Sequence, residues 1–223
     1  MTLDQALAEF GLKVNLSLTI MAMALLLSRI LPIVFFSPFL GGETVPTEVK
    51  IGVGLMLALV LFPAISGRIA FIPTSPLPFV GLMLKEVFIG VSLAFVVNRV
   101  FDAAVVAGTL VDTFAGTNMA QVHVPQIQQQ VSLFASLKLQ LSVVLFLAIN
   151  GHHLVIQALA DSVGAIPLDG FPRFSSGAWP FFELIARVFG DLLRIGFALA
   201  APALVATFVT DLALGMINRV APQ

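Results

Sequence analysis

The stretch LQLSVVLFLAINGHHLVIQALA (residues 139–160) decides how this 223-residue chain is read. It is the one apolar run that stays uncharged for the roughly 20 residues a helix needs to cross a hydrocarbon layer of about 30 Å. Even this run, 22 residues long, carries Asn150, His152 and His153 in its middle. Other apolar uncharged runs are shorter: 15 residues at 14–28, 17 at 51–67, 12 at 87–98 and 16 at 195–210. Charge interrupts the apolar sequence at Arg29, Lys85, Glu86, Arg99, Asp102, Asp112, Arg194 and Asp211.

Composition fixes the class. Apolar residues make up 59% and charged residues 10%, against about 25% charged in soluble domains. The mean hydropathy is +1.05. So little charge cannot coat a water-facing surface, which argues against a soluble enzyme. Intrinsic disorder needs the opposite composition. The net charge is −1, from 11 basic and 12 acidic residues spread thinly, so no basic patch invites nucleic acid. With no cysteine, disulfides and thiolate chemistry drop out. Ala22-Met23-Ala24 has the form of a signal-peptide cleavage site. Asp4 and Glu9 make the leading segment acidic, however, and the apolar run continues past the site, so the segment is expected to remain as a helix.

The expected fold is all-α and of membrane type: several short helices and helical hairpins broken by Pro and Gly, in one domain over residues 1–223. Turns are expected at 37–50, where Pro38, Gly41, Gly42 and Pro46 fall, at 71–78, with three prolines, and at 165–180. Pro180 suits a first helical position. Pro202 is expected to kink or break the last apolar run. Two readings suit such interrupted helices. Either they are ordinary spans whose polar groups face neighbouring helices, or many are sheathed by protein rather than lipid. Charges at bilayer depth pair or line watery cavities, and broken helices need protein or water around them, which favours the second reading. Lysines and arginines are too scattered to give an orientation.

No string for a zinc protease, a serine hydrolase or a nucleotide loop occurs. The histidines are His123, His152 and His153, and the adjacent pair points about 100° apart on a helix, a poor chelate. No cofactor or metal is expected. Ala104, Gly108, Asp112 and Gly116 step by four, making a small-residue face with one carboxylate, and Gly90 and Ala94 repeat the spacing. Such faces let helices approach closely. Asp112 then lies either in generic close packing or at an inter-subunit seam or pore wall. Arg99 and Asp102 suit a local ion pair. Glu183, Arg187, Asp191 and Arg194 form a ladder of alternating sign, suited to a solvated face, an aqueous cavity or a charged partner. Residues 113–130 are the longest polar stretch, uncharged and rich in amides, either an exposed connector or the lining of a conduit.

RILPIVFFSPFLGGETVPTEVKIGVGLMLALVLFP (29–63), KEVFIGVSLAFV (85–96), FDAAVVAGTLVDTFAG (101–116), LFLAINGHHLVIQALADSVGAIPL (145–168) and VTDLALGMINRVAPQ (209–223) together resemble the FliR/SctT family of type III secretion export-gate subunits. The resemblance implies a non-enzymatic subunit in the bacterial inner membrane. It would assemble with FliP-type and FliQ-type subunits, and with a FlhB-type switch subunit, around a conduit for unfolded secreted proteins. It also implies that residues 113–130 are the plug that narrows the closed conduit, with Phe114, Asn118, Met119 and Gln121 as plug candidates. Arg29, Glu86, Gly90, Ala104, Gly108, Asp112, Arg194 and Asp211 are the packing and interface candidates. This chain has His123-Val124-Pro125 where many relatives have Asp-Pro, and a further apolar hairpin is expected beyond Gln223. The Asn-Gly-His block leans flagellar and LVDTFAG leans towards the injectisome; flagellar assembly is favoured.

A stand-alone secondary transporter would also accommodate broken helices and buried charge, but it calls for a midplane ligand site and an internal repeat, and no repeat is visible. An intramembrane hydrolase needs a nucleophile and base that the sequence does not offer.

Overall fold

The computed structural model describes residues 16–40, 45–67, 72–73, 75–116, 133–171 and 179–220. These residues form six helices and no strand: α1 (Leu16–Phe36), α2 (Thr47–Ser66), α3 (Pro76–Phe114), α4 (Leu133–Ala148), α5 (Gly151–Ala165) and α6 (Trp179–Val220). The fold is all-α and of membrane type. Four of the helices, α1, α2, α3 and α6, are long and apolar enough to cross a membrane, and α4 with α5 makes a fifth candidate if the broken pair is one span.

Helix lengths differ from the charge-free runs. α3 has 39 residues and α6 has 42, because both continue straight through their charges. Arg, Lys and Glu are good helix formers, so a charge that interrupts hydropathy does not interrupt the backbone. Proline and left-handed residues set the boundaries instead. α3 starts at Pro76, three residues inside the expected loop, with Pro76 and Pro78 in the first turn, where a missing N–H costs nothing. It is followed by Gly116 at φ 70. The long run 139–160 is not one helix. Asn150 sits at φ 59, ψ 30, and α5 restarts after it, with the His153 N–H donating to the Asn150 carbonyl at 3.0 Å. Pro202 does not break α6, and Pro32 and Pro63 likewise lie inside α1 and α2.

The chain divides into two compact units, Met1–Val97 with Asn150–Ser175, and Asn98–Ile149 with Ser176–Gln223. In the first, α2 turns the stripe Gly54, Ala58, Leu61 and Ile65 inward, and an added Cβ at Gly54 would sit 3.0 Å from Leu31 of α1. α5 buries Gly151, Val155, Leu159 and Val163, spaced by four. α1 contributes Leu25, Leu26, Ile30 and Val34, all fully buried.

In the second unit, Ala107 and Val111 of α3 and Ala200 of α6 form the core, with Phe134, Ala203 and Leu204 against it. Phe101 and Phe146 meet edge to face at 5.2 Å. An added Cβ at Gly196 of α6 would lie 3.1 Å from Val106, so small residues set this helix separation.

Candidate functional site

The first unit encloses a charged cluster. Arg29 of α1 and Glu86 of α3 are both fully buried, and the Arg29 Nε–H donates to Glu86 Oε2. Lys85 Nζ lies 2.7 Å from the other carboxylate oxygen. Adjacent helical residues do not normally face each other, but the four-carbon stem of Lys85 lets its ammonium fold back. Both cations also hold the end of α5. Arg29 donates to Ser162 Oγ at 3.2 Å and to the Ile166 carbonyl at 2.9 Å. Lys85 donates to the carbonyls of Pro167 at 2.8 Å, Leu168 at 3.4 Å and Gly170 at 2.7 Å.

The geometry has an electrostatic cause. The last carbonyls of a helix lack intrahelical donors and carry its negative partial charge, so cations are favoured there. Ile166 leaves the helix in an extended conformation, and the turn after it presents a row of carbonyls. Arg29 and Lys85 fill that cradle, and Glu86 offsets their charge. Close backbone approach makes this possible, since a Cβ at Gly90 would run into the Arg29 carbonyl and lie 3.1 Å from Pro32.

The second unit carries the small-residue face. Ala104, Gly108 and Asp112 are buried. A Cβ at Gly108 would collide with the Ala135 backbone. One turn on, Asp112 Oδ2 accepts the N–H groups of Phe134 at 3.0 Å and Ala135 at 3.2 Å, in the first turn of α4. The face therefore packs inside the chain, with its carboxylate on a helix N-terminus.

Among the plug candidates, Phe114 is 61% exposed and ends α3, whose bounds make residues 113 and 114 helical rather than part of a loop. Asn118, Met119 and Gln121 lie outside the described residues. Arg194 and Asp211 are exposed on α6. Arg99 and Asp102 form the expected pair at 2.8 Å, and Glu183 pairs with Arg187 at 3.2 Å. The His152 and His153 rings lie 4.2 Å apart, tilted by 41°, and no group of three or more metal-ligating side chains occurs among the described residues.

The family model for bacterial export proteins, family 1, matches residues 20–223. The chain belongs to this family. Among its relatives in the FliR/SctT family are the flagellar biosynthetic protein FliR of Escherichia coli K12, 27% identical over 88% of this chain and 73% of the relative. FliR of Pectobacterium carotovorum is 30% identical over 87% and 72%. The Yop proteins translocation protein T of Yersinia pestis is 29% identical over 77% and 65%.

Within this family member, sequence reasoning singled out Arg29 and Glu86 but did not join them, and it passed over Lys85, Ser162 and the carbonyls at 166–170 as their partners. Backbone carbonyls carry no sequence identity. The signal that was present is the turn Pro167-Leu168-Asp169-Gly170 immediately after a helix, in a chain whose apolar sequence is interrupted by the cations Arg29 and Lys85.

Proposed function

We propose that this chain is a core, non-enzymatic subunit of a type III protein-export apparatus in the bacterial inner membrane, forming part of the conduit for unfolded secreted proteins. The observation that carries this reading is the family match from residue 20 to the last residue, with relatives named for both flagellar biosynthesis and secretion. Helices apolar enough for a membrane, closely packed through small residues, support it. Its partners are FliP-type, FliQ-type and FlhB-type subunits. Flagellar assembly is the branch proposed, because the matches extend over 73% and 72% of the two flagellar relatives but 65% of the Yop proteins translocation protein T.

In this reading residues 113–130 close the conduit, with Phe114, Asn118, Met119 and Gln121 at the constriction. The segment is free of charge, so it can yield to a passing chain without breaking ion pairs. Purification from membranes tests the assignment. The chain is expected to elute with FliP-type and FliQ-type subunits; a stable monomer that ignores them would overturn it. Replacing Phe114 and Met119 together by Ala is expected to raise ion leakage through assembled complexes, and unchanged conductance would remove the plug role.

A further inference from the structure

We infer that residues 186–197 of α6 dock one amphipathic helix of another subunit, which sets carboxylates against Arg187 and Arg194 and a large apolar side chain against Gly190. The inference deepens the assembly proposed above and rests on it. Ala186, Gly190, Leu193 and Phe197 follow one another at spacings of four, three and four, the pattern of a seam between two helices. All four are exposed. α6 meets its own chain on a different face, through Leu192, Gly196 and Ala200, which are buried. A Cβ added at Gly90, Gly108 or Gly196 would meet a neighbouring helix. At Gly190 it would meet nothing within 4 Å, although a small residue on a seam is where a second helix comes closest.

Charge indicates what covers the seam. Arg187 and Arg194 each follow a seam residue directly, on the flank where the sign of the charge selects a partner helix. Arg194 has no ion-pair partner among the described residues, and Arg187 has only Glu183, in an exposed pair at 3.2 Å that is worth little. A lipid surface does not suit this pattern. α6 has 42 residues, about 63 Å, twice a hydrocarbon layer of about 30 Å, and its uncharged run is 195–210. With that run among lipid tails, the two arginines stand beyond it at depths about 10 Å apart, whereas the headgroup zone on each side is only about 5–8 Å deep. Anionic headgroups also repel Glu183 and Asp191, which alternate with the arginines. A helix offers both signs in register.

The complex purified with FliP-type and FliQ-type subunits tests this. A photo-crosslinking amino acid at Leu193 is expected to join a helix of another subunit, with a carboxylate within one turn of the joined residue when the adduct is sequenced. Arg187→Glu combined with Arg194→Glu is expected to lower the co-purified yield of that subunit about tenfold, because like charges facing each other across an interface repel. Reversing the carboxylates of the joined helix to Arg is expected to restore the yield. Gly190→Leu, which crowds the seam, is expected to lower the yield without rescue by that reversal. Adducts with lipid alone, with a second copy of this chain or with a segment lacking carboxylates overturn the inference, and so does a parental yield in the double reversal. Should the double reversal lower the thermal midpoint of the chain itself, the adduct at Leu193 decides by the same criteria. A parental chain that purifies without either subunit type overturns the assembly reading and this inference with it. A parental complex that forms, with variants that keep it, overturns this inference alone.

Discussion

Glu86 is shared by two buried cations, Arg29 and Lys85. Removing it leaves both charges buried, and breaking a buried pair in this way costs on the order of 3–5 kcal/mol. Glu86→Gln is therefore expected to lower the thermal midpoint of the purified protein steeply, while Glu183→Gln, which breaks only an exposed pair, leaves it nearly unchanged. Equal shifts in the two variants would contradict the arrangement. Gly90→Ala is the steric counterpart. Its methyl group meets the Arg29 carbonyl, so α1 and α3 must part, at about 1–3 kcal/mol. The sequence made both positions suspicious, one as charge in an apolar run and one as a small residue at spacing four. It did not reveal that both meet Arg29 of α1. Arg29 and Glu86 are 57 residues apart, and nothing local encodes that meeting.

Element boundaries followed backbone chemistry more than hydropathy. Turns inferred from Pro and Gly fall where α1 gives way to α2 and where α5 gives way to α6, because these residues act on the backbone directly. Counting uncharged residues undersized α3 and α6, since long charged side chains propagate a helix and here find partners. It also overextended the run at 139–160, whose break lies in one left-handed residue that hydropathy does not register. That residue gives the test for this scale. Asn tolerates the left-handed region and Gly occupies it freely, whereas a β-branched residue is strained there. Asn150→Gly is expected to keep parental stability, and Asn150→Val to lose about 1–2 kcal/mol, read by chemical unfolding in detergent. If both variants behave alike, the α4–α5 break does not depend on this conformation.

At the scale of the molecule, the helices divide their apolar surface unequally. Half of the candidate span in α1 is buried within the chain, but only 17% of that in α6. Val205, Phe208 and Met216 stand more than half exposed along the same helix. Either lipid or protein has to cover them, and the proposed assembly commits to protein. A photo-crosslinking amino acid at Phe208, in native membranes, is expected to capture partner subunits; adducts with lipid alone would contradict the assembly. The membrane class was legible from composition because so little charge leaves no alternative. What covers the exposed face of α6 was not, because lipid and apolar protein place the same demand on a side chain. The carbonyl cradle also bears on how the protein is made. Lys85 leaves the ribosome 85 residues ahead of Gly170, one of its acceptors. At about 5–20 residues per second that gap lasts about 4–17 s. For those seconds the nascent chain holds an ammonium group with its receptacle still untranslated, so insertion into the bilayer has to shelter it until α5 and the turn behind it are synthesised.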